Sequence, residues 1–165
     1  MMQTLLADIE AALQGGHYYL VIAIVLSLPD VCSALESQDG TTSGARYKKW
    51  YGTWLATVYP MITADDMYSL RCGVIHQGRF GHDKMQYRRI LFTLPNPQKN
   101  IFHKNILNDA LNLDACSFCR DILNSVSQWY AAKQNEPNVQ ANLPRLLRLY
   151  PQGLAPYMVG IPLIA

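Results

Sequence analysis

Residues 18–28 form an uninterrupted run without charged side chains, which is followed directly by Pro29 and Asp30. No other segment of the sequence limits the possible folds as strongly. A membrane-spanning helix needs about 20 apolar residues, so this run is too short to cross a bilayer. A helix that is apolar on all sides is stable in water only inside a protein core. The run therefore predicts a buried central helix, covered by other elements of a soluble domain.

Apolar residues recur at helical spacing through much of the remaining chain. The spacing predicts helices over residues 2–13, 45–58, 114–133 and 139–149, and one that begins at Thr63 and stops at Gly78. The central helix is expected to kink at Pro29 and resume as far as Glu36. Residues 87–94 and 101–107 have strand propensity and flank a turn cluster, which predicts a hairpin. The predicted fold class is mainly all-α, a bundle of five or six helices with a short β-hairpin insert.

The length of 165 residues suits one domain, and residues 154–165 are expected to form an apolar C-terminal arm. Pro156, Gly160 and Pro162 argue against a helix in that arm. Four cysteines are too few for a disulfide framework, and no Lys or Arg precedes Arg46, so no secretory signal is indicated. We expect a cytoplasmic protein.

Charge is distributed unevenly along the chain. Residues 1–45 contain five acids and no Lys or Arg, whereas residues 46–104 contain ten bases against three acids, a net charge of +7. A basic middle third is what a surface that binds RNA would need. Such a segment is also compatible with a solvated basic face.

Arg71 and His76 are separated by four residues near the end of the helix that starts at Thr63. Arginine is a permanent cation whose planar fork binds phosphate, and histidine exchanges protons near neutral pH. Together they suit the cleavage of a phosphodiester without a metal ion. On an ideal helix, however, the two side chains lie about 140° apart. They are expected to meet only if the helix distorts or a second copy completes the site.

The segment Arg71-Cys-Gly-Val-Ile-His76 resembles the signature of the HEPN superfamily, in which an Arg and a His are separated by four to six residues. The similarity includes Gly78 after the motif and extends over residues 1–150. It implies a stand-alone HEPN-like helical domain in which Arg71 and His76 are catalytic. It also implies a homodimer that places both motifs in one cleft, and no metal or other cofactor. Cys72 follows the arginine, where the family usually has a polar residue.

The function predicted from this resemblance is a metal-independent endoribonuclease. The 2′-OH of RNA attacks the adjacent phosphodiester, Arg71 stabilises the developing charge and His76 transfers the proton. Members of the family occur in toxin–antitoxin and defence systems, which implies a toxin or defence module with an antitoxin or another regulatory protein as partner. The alternative is a non-catalytic HEPN-like bundle that binds RNA or a protein.

Several further side chains are candidates for supporting roles. Asp30 and Glu36 could each orient Arg71 across the bundle, although capping of the resumed helix is the preferred role for Asp30. Phosphate contacts are expected from the basic residues that follow the motif, with His82 and His103 nearby. These basic residues are Arg79, Lys84, Arg88 and Arg89.

Two residue patterns favour structural roles. Tyr47, Trp50, Tyr51 and Trp54 form one helical stripe, which is more typical of a core than of a base-stacking platform. Either this stripe or the C-terminal arm could form the dimer interface. Cys116 and Cys119, with Cys72 and His76, could supply four zinc ligands, but they fall in predicted helices instead of turns. We therefore expect buried cysteines and no metal site.

Overall fold

A computed structural model describes residues 1–80 and 85–165, and helices dominate these residues. His82 and Lys84, two of the candidates named above, lie outside the described residues. The predicted mainly α-helical class is confirmed, and the six helices of the described residues agree with the five or six expected. The helices are α1 (Met2–Gln14), α2 (Tyr18–Glu36), α3 (Gly44–Trp54), α4 (Ala64–Gln77), α5 (Ala115–Lys133) and α6 (Pro137–Asn142), with a 3₁₀ turn at Leu143–Arg145.

The central helix of the fold is α2, which contacts α1, α3, α4, α5 and α6. It continues without interruption through Pro29 and ends at Glu36, as predicted, so Pro29 does not divide it into two helical segments. A proline inside a helix costs about 3 kcal/mol. Each large aliphatic side chain that the helix buries contributes about 1.5–3 kcal/mol, so the burial of Val25, Leu26 and Leu28 outweighs this cost.

Helix α2 is also long enough and apolar enough to cross a membrane, with a mean hydropathy of 1.9. Within the fold, however, 56% of this stretch is buried. This is typical of the core helix of a soluble protein and agrees with the expectation from the sequence.

Helix α4, which carries the Arg71–His76 motif, begins and ends where the sequence predicts. The Thr63 hydroxyl accepts a hydrogen bond from the backbone N–H of Asp66 at 3.0 Å, which satisfies a free donor at the helix start. At the other end Gly78 has a φ of +63°, and the N–H of the next residue, Arg79, donates to the carbonyl of Gly73 at 3.1 Å. Glycine adopts this left-handed conformation without strain. The helix therefore ends at Gln77, one residue after His76.

Two other helices end earlier than predicted. α3 stops at Trp54 instead of residue 58, and the chain turns back so that the Tyr51 hydroxyl lies 2.7 Å from the carbonyl oxygen of Ile62. α6 stops at Asn142 instead of residue 149, because Pro144 lacks the N–H that would continue the helix.

The inserted strands form a three-stranded sheet in place of the predicted hairpin. Strands β1 (Arg89–Thr93) and β2 (Asn105–Leu107) do not pair with each other. Both pair with β3 (Ala110–Asp114), β1 in parallel and β2 antiparallel. The hairpin turn lies between β2 and β3, at Asn108 and Asp109, which both have positive φ angles. All five residues of β3 are buried, so it is the central strand of the sheet.

The C-terminal arm is non-helical, as predicted, and contains two small antiparallel pairs. These are β4 (Leu149–Tyr150) with β7 (Leu163–Ile164), and β5 (Gly153–Leu154) with β6 (Met158–Val159). Many of its apolar side chains are exposed, among them Tyr157, Val159 and Ile164.

The aromatic stripe of α3 belongs to the core, as expected. Tyr47, Trp50 and Tyr51 are at most 3% exposed, and Trp54 is partly buried. The Tyr47 hydroxyl donates to the backbone carbonyl of Leu26 in α2 at 3.1 Å. The stripe therefore joins α3 to the central helix and is not available to stack bases or to form a dimer interface.

Candidate active site

Arg71 and His76 contact each other within one chain. The Arg71 Nη1 atom lies 2.9 Å from His76 Nε2, although both residues belong to the single helix α4. The five intervening steps correspond to a rise of about 7.5 Å along an α-helix. The long arginine side chain spans this rise and the angular offset. The expectation that a distorted helix or a second copy is needed to bring the two together is therefore wrong.

Asp30 fixes the other edge of the guanidinium. Its Oδ2 accepts a hydrogen bond from Arg71 Nε at 2.6 Å, and the two side chains are only 11% and 17% exposed. Partial burial works against the positive charge, but the carboxylate of Asp30 outweighs this effect and the pKa of Arg71 is raised. Arg71 is thus a fixed cation, positioned from α2 and directed toward His76.

Two hydroxyl groups hold Asp30 in turn. Thr42 Oγ1, in the loop before α3, donates to Asp30 Oδ1 at 3.2 Å. Ser33 Oγ, three residues after Asp30 in α2, lies 2.8 Å from Thr42 Oγ1. Ser33 and Thr42 were not among the residues predicted from the sequence, although the spacing of Asp30 and Ser33, which places them on one helix face, was an available signal. This network connects α2, the loop before α3, and α4 around the arginine.

The contact with Arg71 defines the hydrogen-bonding role of His76. A guanidinium has donors only, so His76 Nε2 accepts the hydrogen bond and is unprotonated. The proton of the neutral ring therefore lies on Nδ1. His76 is exposed to solvent, so an incoming substrate can reach its ring.

Arg71 retains a donor for a ligand. Its Nε binds Asp30 and its Nη1 binds His76, while Nη2 has no hydrogen-bond partner among residues 1–80 and 85–165. The Sγ of Cys72 is a weak acceptor 3.9 Å from Nη1. Cys72 is half-buried beside the guanidinium, so it lies next to the candidate site.

Glu36 does not belong to this site. Its carboxylate accepts a hydrogen bond from the indole N–H of Trp129, and its backbone carbonyl accepts one from Asn138 Nδ2 at 2.9 Å. It therefore joins the end of α2 to α5 and α6. Asp30 is the acid that contacts Arg71, and because α2 is continuous Asp30 caps no helix. The preferred capping role of Asp30 is therefore wrong, and of the two acids considered for orienting Arg71, Asp30 and not Glu36 lies on the face of α2 that meets α4.

The three predicted phosphate-binding arginines are all exposed. Arg79 follows the end of α4 and its Nε donates to Gln77 Oε1 at 2.7 Å. Arg88 and Arg89 lie at the start of β1 and form no ion pair within the described residues. No contact among those residues joins the three arginines to Arg71 or His76. They are accessible charges near the motif in sequence.

His103 is held at a different place. Its Nδ1 accepts a hydrogen bond from the backbone N–H of Asp114 at 3.1 Å, and its Nε2 lies 3.6 Å from Asp121 Oδ2. Burial, followed by the positive charge of Lys104, lowers the pKa of His103. These contacts of His103 join the sheet to α5.

The cysteines are free thiols. Cys119 is fully buried in α5, and burial raises its pKa to about 12. Within the described parts of the chain, no three side chains among His, Cys, Asp and Glu are grouped so that they could hold a metal ion. Cys116 and Cys119 are thus not joined there by Cys72 and His76.

Comparison of the chain with protein-family models, with curated proteins and with solved structures found no match. The resemblance of the Arg71–His76 motif to the HEPN signature therefore stays a prediction.

Proposed function

We propose that this protein is a metal-independent endoribonuclease with a HEPN-like active site. The observation that carries the proposal is the contact of 2.9 Å between Arg71 and His76, with Arg71 anchored on the buried carboxylate of Asp30. A fixed cation beside an accessible imidazole supplies the two functions that phosphodiester transfer needs, charge stabilisation and proton transfer.

The reaction begins when a phosphate of RNA binds the outer edge of Arg71. Its non-bridging oxygens accept hydrogen bonds from Nη2 and Nη1, and Nη1 exchanges His76 for the phosphate. This exchange frees the lone pair of His76 Nε2, which then takes the proton of the ribose 2′-OH. The 2′-oxygen forms a bond to phosphorus while the bond from phosphorus to O5′ breaks. The products are a 2′,3′-cyclic phosphate and a free 5′-OH.

The leaving oxygen also needs a proton. In-line attack places O5′ on the opposite side of phosphorus from the 2′-oxygen, beyond the reach of the histidine that acts as base. Water can supply this proton, but the His76 of a second copy would do so more efficiently. We propose a homodimer for this reason. Exposed apolar side chains on the two helices that form the site support it: Leu20 and Ile24 of α2 and Ile75 of α4 are 61%, 46% and 41% exposed.

If the homodimer forms through this surface, light scattering will give twice the mass of 18.6 kDa. Replacement of Ile24 and Ile75 by Lys is expected to dissociate it, because each buried charge would lack a partner. The same replacements at Leu147 and Val159, exposed apolar residues of the C-terminal region, are the control and should leave the mass unchanged. A fully active monomer would contradict the dimer.

The biological role follows the family analogy: a toxin or defence module in the cytoplasm, restrained by an antitoxin or another regulatory protein. Co-purification from the native host identifies such a partner.

One observation favours a second candidate function, a non-catalytic protein that binds RNA or a protein partner. His76 Nε2 already accepts a hydrogen bond from Arg71, so the base is free only after a ligand separates the two. In this alternative Arg71 holds a phosphate or carboxylate without cleavage. Purified protein incubated with single-stranded RNA separates the two candidates, because only the enzyme shortens the RNA.

The chemistry is tested by the products. We expect cleavage to survive EDTA, to yield 2′,3′-cyclic phosphate ends and to leave DNA of the same sequence intact, because DNA lacks the nucleophile. Single-stranded or looped RNA should be cleaved faster, since in-line attack needs a flexible backbone. Mass spectrometry of the fragments measures the ends. Products with 3′-OH and 5′-phosphate ends would contradict the mechanism even with RNA as substrate.

The exposed arginines are expected to bind the RNA backbone. Replacement of Arg79, Arg88 and Arg89 by Glu should reduce the slope of log K against log salt by about 2, since each contact with single-stranded RNA contributes about 0.7. The matched control reverses three other exposed or half-exposed cations, Arg120, Lys133 and Arg148. Titration of labelled RNA at several salt concentrations measures the slope. An equal effect of both triple variants would show that only net charge matters.

A further inference from the structure

A cavity of about 350 Å³ opens between the second half of α2, the loop before α3 and the 3₁₀ turn after α6. Asp30 lines this cavity and also binds Arg71 Nε at 2.6 Å, so the cavity and the candidate active site share a side chain. Its volume lies in the range of about 300–1,000 Å³ that is usual for ligand sites. The lining residues that matter here are Asp30, Val31, Ala34, Thr42, Arg145 and Leu146.

The walls of the cavity are mainly apolar, with polar groups at a few points. Val31, Ala34 and Leu146 provide aliphatic surface, whereas Asp30 and Thr42 provide hydrogen-bonding atoms. A planar heteroaromatic ring can be buried against aliphatic walls while polar groups meet its edge. Hydrogen bonds to the edge of an unstacked base are one of the means by which proteins recognise single-stranded RNA.

Arg145 provides positive charge at the cavity. Its Nη1 donates to Asn142 Oδ1 at 3.1 Å, and it forms no ion pair among the residues that the structure describes. Gly40 makes room for it, since a Cβ at that position would lie only 2.2 Å from Arg145 Nη1. Asp30 is the other charged lining residue, and Arg71 neutralises it. The cavity therefore has a net positive charge and favours an anionic ligand.

We propose that this cavity binds the nucleotide next to the scissile phosphate, with the base between the apolar walls and the phosphate on Arg145. The inference rests on the proposed ribonuclease function and adds a source of base specificity to it. Arg71 holds the phosphate that reacts, and Arg145 holds a neighbouring phosphate of the same strand. Bases that cannot pair with the polar edge at Asp30 and Thr42 are bound less tightly, so cleavage depends on the base at this position.

The test uses the full chain with His76→Ala and the 5′-monophosphates of adenosine, guanosine, cytidine and uridine as probes, because the 5′-phosphate is the neighbouring phosphate that Arg145 would hold. Isothermal titration is expected to give one nucleotide a Kd at least tenfold below that of the weakest. Arg145→Gln should weaken binding of all four by about tenfold, because it removes a charged hydrogen bond to phosphate. Ala34→Leu should remove the difference between bases by filling the cavity. Arg148→Gln and Ala11→Leu, which make the same changes at exposed positions outside the cavity, are the controls.

The same variants, made in the otherwise unchanged protein, separate this inference from the proposed function. If RNA is cleaved, Ala34→Leu should flatten the base preference at the cleavage site while Ala11→Leu preserves it. If RNA is not cleaved but the nucleotides bind through Arg145 and Ala34, the nucleotide site stands and the ribonuclease proposal fails. If no nucleotide binds, or if the cavity variants behave like their controls, the nucleotide site is overturned. Circular dichroism confirms that each variant is folded.

Discussion

Replacement of His76 by Ala is expected to slow RNA cleavage by about 10²–10⁴-fold, the usual contribution of a positioned acid–base group. The side chain is exposed at the end of α4 and its hydrogen bond to Arg71 is at the surface. Its removal should therefore change the melting temperature by no more than about 2 °C. Single-turnover cleavage of a labelled single-stranded RNA, together with thermal unfolding, measures both quantities.

The matched control for this variant is His17→Ala. His17 is also exposed and lies beside a helix end, before α2, where its side chain forms no capping hydrogen bond. It should retain full cleavage. Arg71→Lys adds a second comparison, because lysine keeps the charge but not the planar fork. Cleavage at more than a tenth of the wild-type rate in His76→Ala would contradict a role for the imidazole in proton transfer, and RNA binding without cleavage by the unaltered protein would favour the non-catalytic alternative.

The boundaries of α4 could be predicted because its signals are local. A hydroxyl three residues before Asp66 and a glycine after Gln77 each act on a backbone group within one turn. The same is true of the burial of α2, which follows from composition alone. Residues whose structural role depends on neighbours in sequence are thus accessible to reasoning from the sequence.

The pairing of the strands could not be predicted in this way. β1 pairs in parallel with β3, so that Arg89 lies opposite Ala110, and this contact joins segments that no local turn connects. A partial signal was available: after glycine, Asn and Asp are the residues that best tolerate positive φ in a tight hairpin turn, and Asn108 and Asp109 stand in that position. The predicted hairpin was instead placed around the turn cluster at residues 95–100.

The partner of Arg71 shows the same limitation within the candidate site. Asp30 is 41 residues away in the chain, and Glu36 is an equally suitable acid by charge. The choice between them depends on which face of α2 meets α4, a property of the tertiary packing. Likewise, the contact between Arg71 and His76 depends on the conformation of a long side chain, which an ideal helical wheel does not represent.

The Asp30–Arg71 pair supports the second large prediction, which concerns stability. Arg71→Ala leaves the Asp30 carboxylate, 11% exposed, without its cation. Breaking a buried ion pair by the removal of one partner costs about 3–5 kcal/mol. Because both side chains retain some contact with water, we expect a loss at the lower end, about 3 kcal/mol. For a chain of this length such a loss lowers the melting temperature by roughly 6–12 °C.

A double-mutant cycle separates the ion pair from the loss of packing. Asp30→Asn keeps the shape and hydrogen-bonding capacity of the side chain toward Thr42 while it removes the charge. In the Asp30→Asn background, replacement of Arg71 by Ala should therefore cost at least about 1.5 kcal/mol less than in the unaltered protein, since no carboxylate is left unpaired. Urea unfolding of the four proteins measures the difference. Arg120→Ala, which breaks the more exposed ion pair with Glu10, is the control and should lower the melting temperature only slightly.

If Asp30 positions Arg71, the loss of stability and the loss of cleavage must differ among the variants. Asp30→Asn with Arg71 intact should still fold, yet the guanidinium would lose the acceptor that holds its Nε and would turn more freely. A group misplaced by about 1 Å can slow a reaction by about 10²-fold, so we expect a decrease of this order in the cleavage rate. Arg71→Lys should recover most of the stability that Arg71→Ala loses, because the ammonium still pairs with Asp30, but it should not recover cleavage. Equal recovery of both properties would mean that Arg71 acts on RNA only through its charge, and that the geometry set by Asp30 has no part in the reaction.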